Sequence, residues 1–158
     1  MTARTAQPAP DDHAAPDSRP AAFTVGPLHH VQLSVPPGTE DRCRAYWSGV
    51  LGLAEIEKPP VLAARGGCWF RGGGIEVHLG AEADFVPARR AHPGILVTSL
   101  DALADRLQAH GLPVTWDDNF PGYRRFHSAD PFGNRLEFLE PATTAATPDA
   151  TTAAGPSA

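Results

Sequence analysis

Long hydrophobic runs are missing from this chain of 158 residues. No stretch approaches the roughly 18 apolar residues that a membrane span requires, and no continuous apolar segment follows Arg4 as it would in a secretory signal. A soluble cytoplasmic protein without a membrane partner is therefore expected. Positive charge is also scarce. Thirteen Lys and Arg stand against eighteen Asp and Glu, a formal net charge of -5, and no basic stripe is visible, so a nucleic-acid partner is not expected. There are only two cysteines, Cys43 and Cys68, without a CxxC spacing. They read as small buried hydrophobes and not as a disulfide. Large apolar side chains are rare at both ends, where Ala, Pro, Thr and Asp dominate. Residues 1–26 and 142–158 cannot bury enough surface to offset about 1–2 kcal/mol of backbone entropy per ordered residue, and are expected to be disordered tails. One domain, 27–141, remains.

Within that domain the chain says the same thing twice. A strand opening with histidine, HVQLSV from His30, leads through a helix to GIEVHLG, Gly74 to Gly80. A second such strand, HPGILV from His92, leads through another helix to NRLEFLE, Asn134 to Glu140. His92 lies 62 residues after His30 and Glu137 lies 61 after Glu76, so metal-capable side chains recur at matching places. The symmetry predicts modules 27–90 and 91–141 that share one site.

The periods support this division. Val31, Leu33 and Val35 alternate with His30, Gln32 and Ser34, the period-two pattern of a half-buried strand that leaves His30 on the polar face. Pro36-Pro37-Gly38 ends it. A helix is predicted over Thr39 to Val50, with Thr39 as N-cap, Gly52 as stop, and Tyr46, Trp47 and Val50 buried. Strands follow near Ala54–Glu57, Gly67–Phe70 and Ile75–Leu79, the last two joined by Gly72-Gly73-Gly74. In the second module Ile95 and Val97 oppose His92, Gly94 and Leu96. Leu100, Leu103 and Leu107 make the apolar stripe of a helix over Asp101–His110 that Gly111 stops. Strands are predicted near Pro113–Trp116, Tyr123–Ser128 and Arg135–Leu139, the last hairpin closed by DPFGN at Asp130–Asn134. Each half thus reads strand, helix, strand, strand, strand. With one helix over each apolar sheet face, the polar faces are left to form a concave surface.

Two imidazoles and a carboxylate meeting in such a cup suit a divalent Fe, Ni, Co, Mn or Zn ion with positions open to a substrate. On the strand Tyr123–Ser128, Phe126 should face the core, leaving Tyr123, Arg125 and His127 on the cup side. Arg125 offers a bidentate fork for a carboxylate or phosphate, or a salt bridge to Glu137 or Asp117. His29 reads as a packing or capping residue and His110 as a partner of its helix terminus. Arg89, Arg90, Asp117 and Asp118 read as solvated loop charges. His13 falls in a tail.

The repeated βαβββ pattern, its two strand-opening histidines and above all the DPFGNRLEF stretch from Asp130 resemble the vicinal oxygen chelate superfamily. That group includes glyoxalase I, methylmalonyl-CoA epimerase, extradiol dioxygenases, fosfomycin-resistance and bleomycin-binding proteins. The resemblance spans the core and neither tail. It implies an α+β fold of paired βαβββ modules forming a cupped mixed sheet with helices on the outer face. It also implies a divalent metal ion held by His30, His92, Glu137 and one residue of Ile75–Leu79. Two residues compete for that last place. The 61-residue offset favours Glu76, and the Leu79 that follows favours His78; the reading adopted is His78 as ligand and Glu76 as neighbouring base, with the reverse open. Arg125 and Tyr123 are the candidate substrate contacts. A homodimer is implied, with the cup completed by strands of the other chain.

Three function classes remain. One is a metal enzyme that chelates vicinal oxygens of a small-molecule substrate and assists proton transfer, of glyoxalase or epimerase type, with an Fe(II) extradiol dioxygenase as a variant. Another is a metal-free binding or resistance protein with a groove lined by Trp69, Phe70 and Trp116. The third is a module that keeps the fold alone.

Overall fold

The computed structural model describes residues 22–142. Of the expected tails, 1–21 and 143–158 lie outside the described residues, and Phe23 and Val25 are exposed on irregular chain. Two four-stranded mixed sheets carry the fold. The first module contains β1 (Val31–Val35), α1 (Glu40–Arg44) continuing as a π-helical turn (Ala45–Val50), β2 (Ala54–Ile56), α2 (Pro60–Ala63), β3 (Trp69–Gly72) and β4 (Ile75–Ala81). The second contains β5 (Gly94–Leu96), α3 (Leu100–Ala109), β6 (Thr115–Trp116), β7 (Tyr123–Ala129) and β8 (Arg135–Pro141).

The strand orders are β1-β4-β3-β2 and β5-β8-β7-β6, so the second sheet repeats the topology of the first. In each, the first strand runs parallel to the last and the other pairs are antiparallel. This is the α+β arrangement of repeated βαβββ units that the sequence repeat predicts.

Side-chain alternation sorts the residues between core and polar face. Val35, Phe70, Val77 and Leu79 from one sheet, and Ile95, Phe126, Leu136 and Phe138 from the other, share one apolar cluster with the helices. Tyr46, Trp47, Leu100 and Leu107 are each no more than 1% exposed, and burying a side chain of this kind stabilises by about 1.5–3 kcal/mol. Polar ties run between the modules: Asn134 donates from its side chain to the Ser34 carbonyl at 2.9 Å, and Arg106 to the carbonyls of Val50 and Gly49 at 2.6 and 2.7 Å.

The first helix differs from the expected uniform Thr39–Val50 run. It widens after Arg44, and the Leu51 N–H reaches back five residues to Tyr46 at 2.9 Å. A wider turn rotates less per residue, which lets the adjacent Tyr46 and Trp47 both enter the core. Thr39 lends its carbonyl to the Arg42 and Cys43 N–H groups, but its hydroxyl donates to Pro36 and caps nothing. Gly52, at φ 76°, ends the segment as the sequence predicts. The short helix α2 has no apolar period to announce it; Pro60 stands in its first turn, where a missing N–H costs nothing. The DPFGN turn has a clear cause. Asp130 is buried, and one carboxylate oxygen accepts from the N–H groups of Phe132 and Asn134 while the other accepts from the Asn134 side chain, all at 2.9 Å.

Candidate metal centre

The β7–β8 register places His127 opposite Glu137, and the β5–β8 register places Gly94 opposite the same Glu137. Gly94 matters because it has no side chain: a Cβ there would stand 3.3 Å from Glu137 Oε2 and 3.2 Å from Leu139 Cδ1. Two residues earlier, His92 shares the face of Gly94 and brings Nε2 to 3.5 Å from Glu137 Oε2, while His127 Nε2 lies 3.8 Å from Oε1. The nearest donor atoms of His92, His127 and Glu137 all lie within 4.8 Å of one another.

The hydrogen bonding suits a cation. His92 Nδ1–H donates to the Arg90 carbonyl at 2.6 Å, which leaves the Nε2 lone pair of the neutral ring facing the carboxylate. Neither imidazole hydrogen-bonds Glu137 among the described residues, so two rings and a carboxylate face one another with donor positions to spare. Metal bonds of about 2.0–2.2 Å place ligand atoms roughly 3–4 Å apart, a range that holds the 3.5 Å from His92 to one Glu137 oxygen and the 3.8 Å from His127 to the other, within an overall span of 4.8 Å. The residues present fit a divalent ion.

Arg125 completes this half. Its two terminal nitrogens donate to Glu137 Oε1 at 2.6 Å and Asp117 Oδ2 at 3.1 Å, and its guanidinium lies 5.1 Å from the Phe120 ring centre. Both salt bridges considered from the sequence form, so the fork is engaged and not free for a substrate. Asp117, expected as a solvated loop charge, is part of the site instead. Its carboxyl is held below the usual range first by the Asn119 backbone N–H and then by the Asn119 and Arg125 side chains, against a cost of burial. Tyr123 stands at the rim, exposed and stacked on Phe120 at 5.2 Å.

The remaining candidates gather on the other sheet. His78 is sandwiched between Trp69, 3.8 Å away between ring centres, and His30 at 4.0 Å. Its Nε2 lies 2.7 Å from Glu76 Oε1, while Arg71 binds the other oxygen of that carboxylate. These bonds, the one to His78 first, hold Glu76 below the usual carboxylate range. His29 pairs its Nδ1 with that of His30 at 2.9 Å. The structure thus joins His92 to Glu137, joins His30 to His78 and Glu76, and does not bring the two sets within ligand reach of each other in one chain. They are neighbours nonetheless, since one groove of about 190 Å³ touches His30 and Glu76 as well as Pro93 and Gly94.

Burial pushes both His78 and His127 below 6.5, ahead of the neighbouring charges. Their contribution to stability is full above the unfolded value and is lost as pH falls through the lowered folded values, because the unfolded chain takes up protons first. The melting temperature of the metal-free protein is therefore expected to drop as pH falls below about 6.5. His78→Phe should make that drop shallower, and an unchanged slope would remove the assignment to His78.

Comparison with known proteins agrees with this architecture. The profile of the Glyoxalase/Bleomycin resistance protein/Dioxygenase superfamily matches residues 27–138. A glyoxalase family protein from Bacillus anthracis is 41% identical over 77% of this chain and 100% of that one, with a TM-score of 0.74. The fold is shared at 14% identity by a variant of the fosfomycin resistance protein from Listeria monocytogenes, complexed with Mn(II) and dihydroxypropylphosphonic acid (76% of this chain, 95% of that one, TM-score 0.64). It is also shared at 22% identity by an antibiotic binding protein from a Streptomyces species (75% and 100%, TM-score 0.56). No curated protein matches the chain. Repeated βαβββ topology, the matched profile and a relative of 41% identity lead to one conclusion: the chain belongs to the glyoxalase/bleomycin resistance protein/dioxygenase superfamily.

Proposed function

We propose that this chain is a metal-dependent enzyme of glyoxalase or epimerase type, acting on a small substrate with two neighbouring oxygens and moving a proton beside them. The observation that carries the reading is the arrangement of His92, His127 and Glu137, whose donor atoms face one another without hydrogen-bonding. His92 and Glu137 hold the ion, an Fe, Ni, Co, Mn or Zn divalent cation. The Arg90 carbonyl fixes the His92 ring, and Arg125 fixes the carboxylate. When bound, the ion supplies Lewis acidity for negative charge developing on a substrate oxygen.

The His30, His78 and Glu76 set meets this centre across a homodimer, so that the partner subunit's His30 completes the ligands. Glu76 is too firmly bonded to be a strong base by itself. Behind His78 it acts differently: the neutral ring donates Nε2–H to Glu76 and leaves Nδ1 to accept a substrate proton, with the carboxylate stabilising the imidazolium that results. The substrate approaches through the cleft of about 710 Å³ lined by Trp116, Asp117, His127 and Arg135.

The test is anaerobic reconstitution of the metal-free protein with each ion, followed by hemithioacetals and 2-substituted acyl thioesters as substrates. Isomerisation with Ni(II) or Co(II) that is lost in both Glu76→Gln and His78→Ala is the expected result. Fe(II)-dependent oxygen uptake with a catechol would overturn it, and so would a light-scattering mass near one 16.7 kDa chain. A second reading rests on Trp116, Phe120 and Tyr123, whose exposed rings suit metal-free capture of a flat ligand. That reading requires a ligand-induced rise in melting temperature that persists in chelator.

A further inference from the structure

We propose that His127, on β7, supplies the fourth protein donor to the metal, in place of Glu76 or His78 on β4. This inference rests on the metal centre of the preceding reading and assigns one of its ligands. Three observations carry it. His127 and Glu137 are direct register partners on adjacent antiparallel strands, so the backbone itself sets both side chains on one face. The His127 ring makes no hydrogen bond among the described residues, although its side chain is only 13% exposed, and its Nε2 stands 3.8 Å from Glu137 Oε1. Its edge-on packing against His92, 5.3 Å between ring centres at 82°, leaves both rings aimed at the carboxylate without blocking each other.

The β4 residues are committed elsewhere. His78 is wedged between two rings and bonded to Glu76, and Glu76 also binds Arg71. A metal on Glu76 would compete with the His78 and Arg71 bonds that already hold both of its oxygens, a cost that His127 does not incur, and the free Nδ1 of His78 is the atom assigned above to the substrate proton. Four protein donors would then come from His92, His127, Glu137 and the partner subunit's His30, and an ion that accepts more than four ligands would still take up substrate oxygens.

Co(II) titration of the full chain against a competing chelator tests this, read by affinity and by the visible absorption of the bound ion. His127→Ala and His127→Phe remove the donor, and the second retains a ring of similar bulk; the melting temperature of each metal-free variant reports its folding. Both are expected to weaken Co(II) at least about tenfold and to change the absorption intensity, which falls with coordination number, whereas Glu76→Gln should stay within about threefold of the parent. Co(II) affinity and spectrum unchanged in His127→Phe, with His92→Ala losing the ion, would overturn the assignment and leave the metal centre standing. A parent chain that binds no Co(II) would overturn both.

Discussion

Exchanging Glu137 for glutamine is expected to weaken divalent metal binding by at least about 100-fold, more than the 10–100-fold typical of losing an outer partner. Glu137 is the point on which the centre converges: His92 faces one oxygen at 3.5 Å, His127 faces the other at 3.8 Å, and Arg125 donates to it at 2.6 Å. Glutamine keeps the size and an oxygen that can accept from Arg125, but it removes the only negative charge in the three-residue cluster. The fold should survive. Without a metal, glutamine avoids the desolvation cost of a largely buried carboxylate, and Arg125 keeps Asp117 as its counter-ion at 3.1 Å, so the melting temperature of the metal-free variant should stay close to that of the parent. Arg125→Lys separates the two contributions, because it leaves the donor and the neighbouring positive charge in place and removes only the fork that orients the carboxylate. A loss in the 10–100-fold range is expected there. Co(II) titration measures both, and a Glu137→Gln variant that binds as tightly as the parent would remove the proposed centre.

Much of this site is legible in the sequence, and the part that is not has a physical cause. The alternation in HVQLSV puts His30 on the polar face, and the 62-residue repeat carries the same placement to His92. The hairpin at DPFGN also fixes a register. Its turn is centred on Phe132, so residues equidistant from that point pair, and His127 and Glu137 each stand five residues away. His127 could be placed on the cup side from alternation alone, yet the pairing that makes it a ligand candidate needed the register as well. The bond between Glu76 and His78 is different in kind. Two residues apart on one strand guarantees a shared face, but whether the side chains bind each other or something opposite depends on Trp69 and Arg71 arriving on the neighbouring strand. The division of the expected ligands into two sets is a tertiary fact, and no local period encodes it. The widening of the first helix escaped for the same reason, since it follows from what Tyr46 and Trp47 pack against.

Gly67→Ala is expected to destabilise the fold by about 3 kcal/mol or more, enough to lower the melting temperature by roughly 10 °C. Nothing in the sequence marks this glycine above the fourteen others. Its position explains the difference. Gly67 has φ 74°, and a Cβ added to it would stand 2.0 Å from the Leu79 carbonyl oxygen and 3.0 Å from its carbon. Those atoms are backbone of β4, the strand paired to both β1 and β3, so they cannot swing aside as a flexible side chain would. Next to the clash, the Leu79 N–H donates to Cys68 at 2.9 Å and the Gly67 N–H donates to Glu40 at 2.7 Å. Relief of the overlap must therefore strain the strand that carries His78 and Glu76, or release the start of α1. Gly73 provides the control. It also has a positive φ, 57°, but a Cβ there meets nothing within 4 Å, so Gly73→Ala carries only the backbone penalty of roughly 1 kcal/mol. Thermal unfolding of the two variants separates conformational cost from close approach. Equal losses would show that the β4 backbone yields, and that the module-one half of the site is softer than its packing indicates.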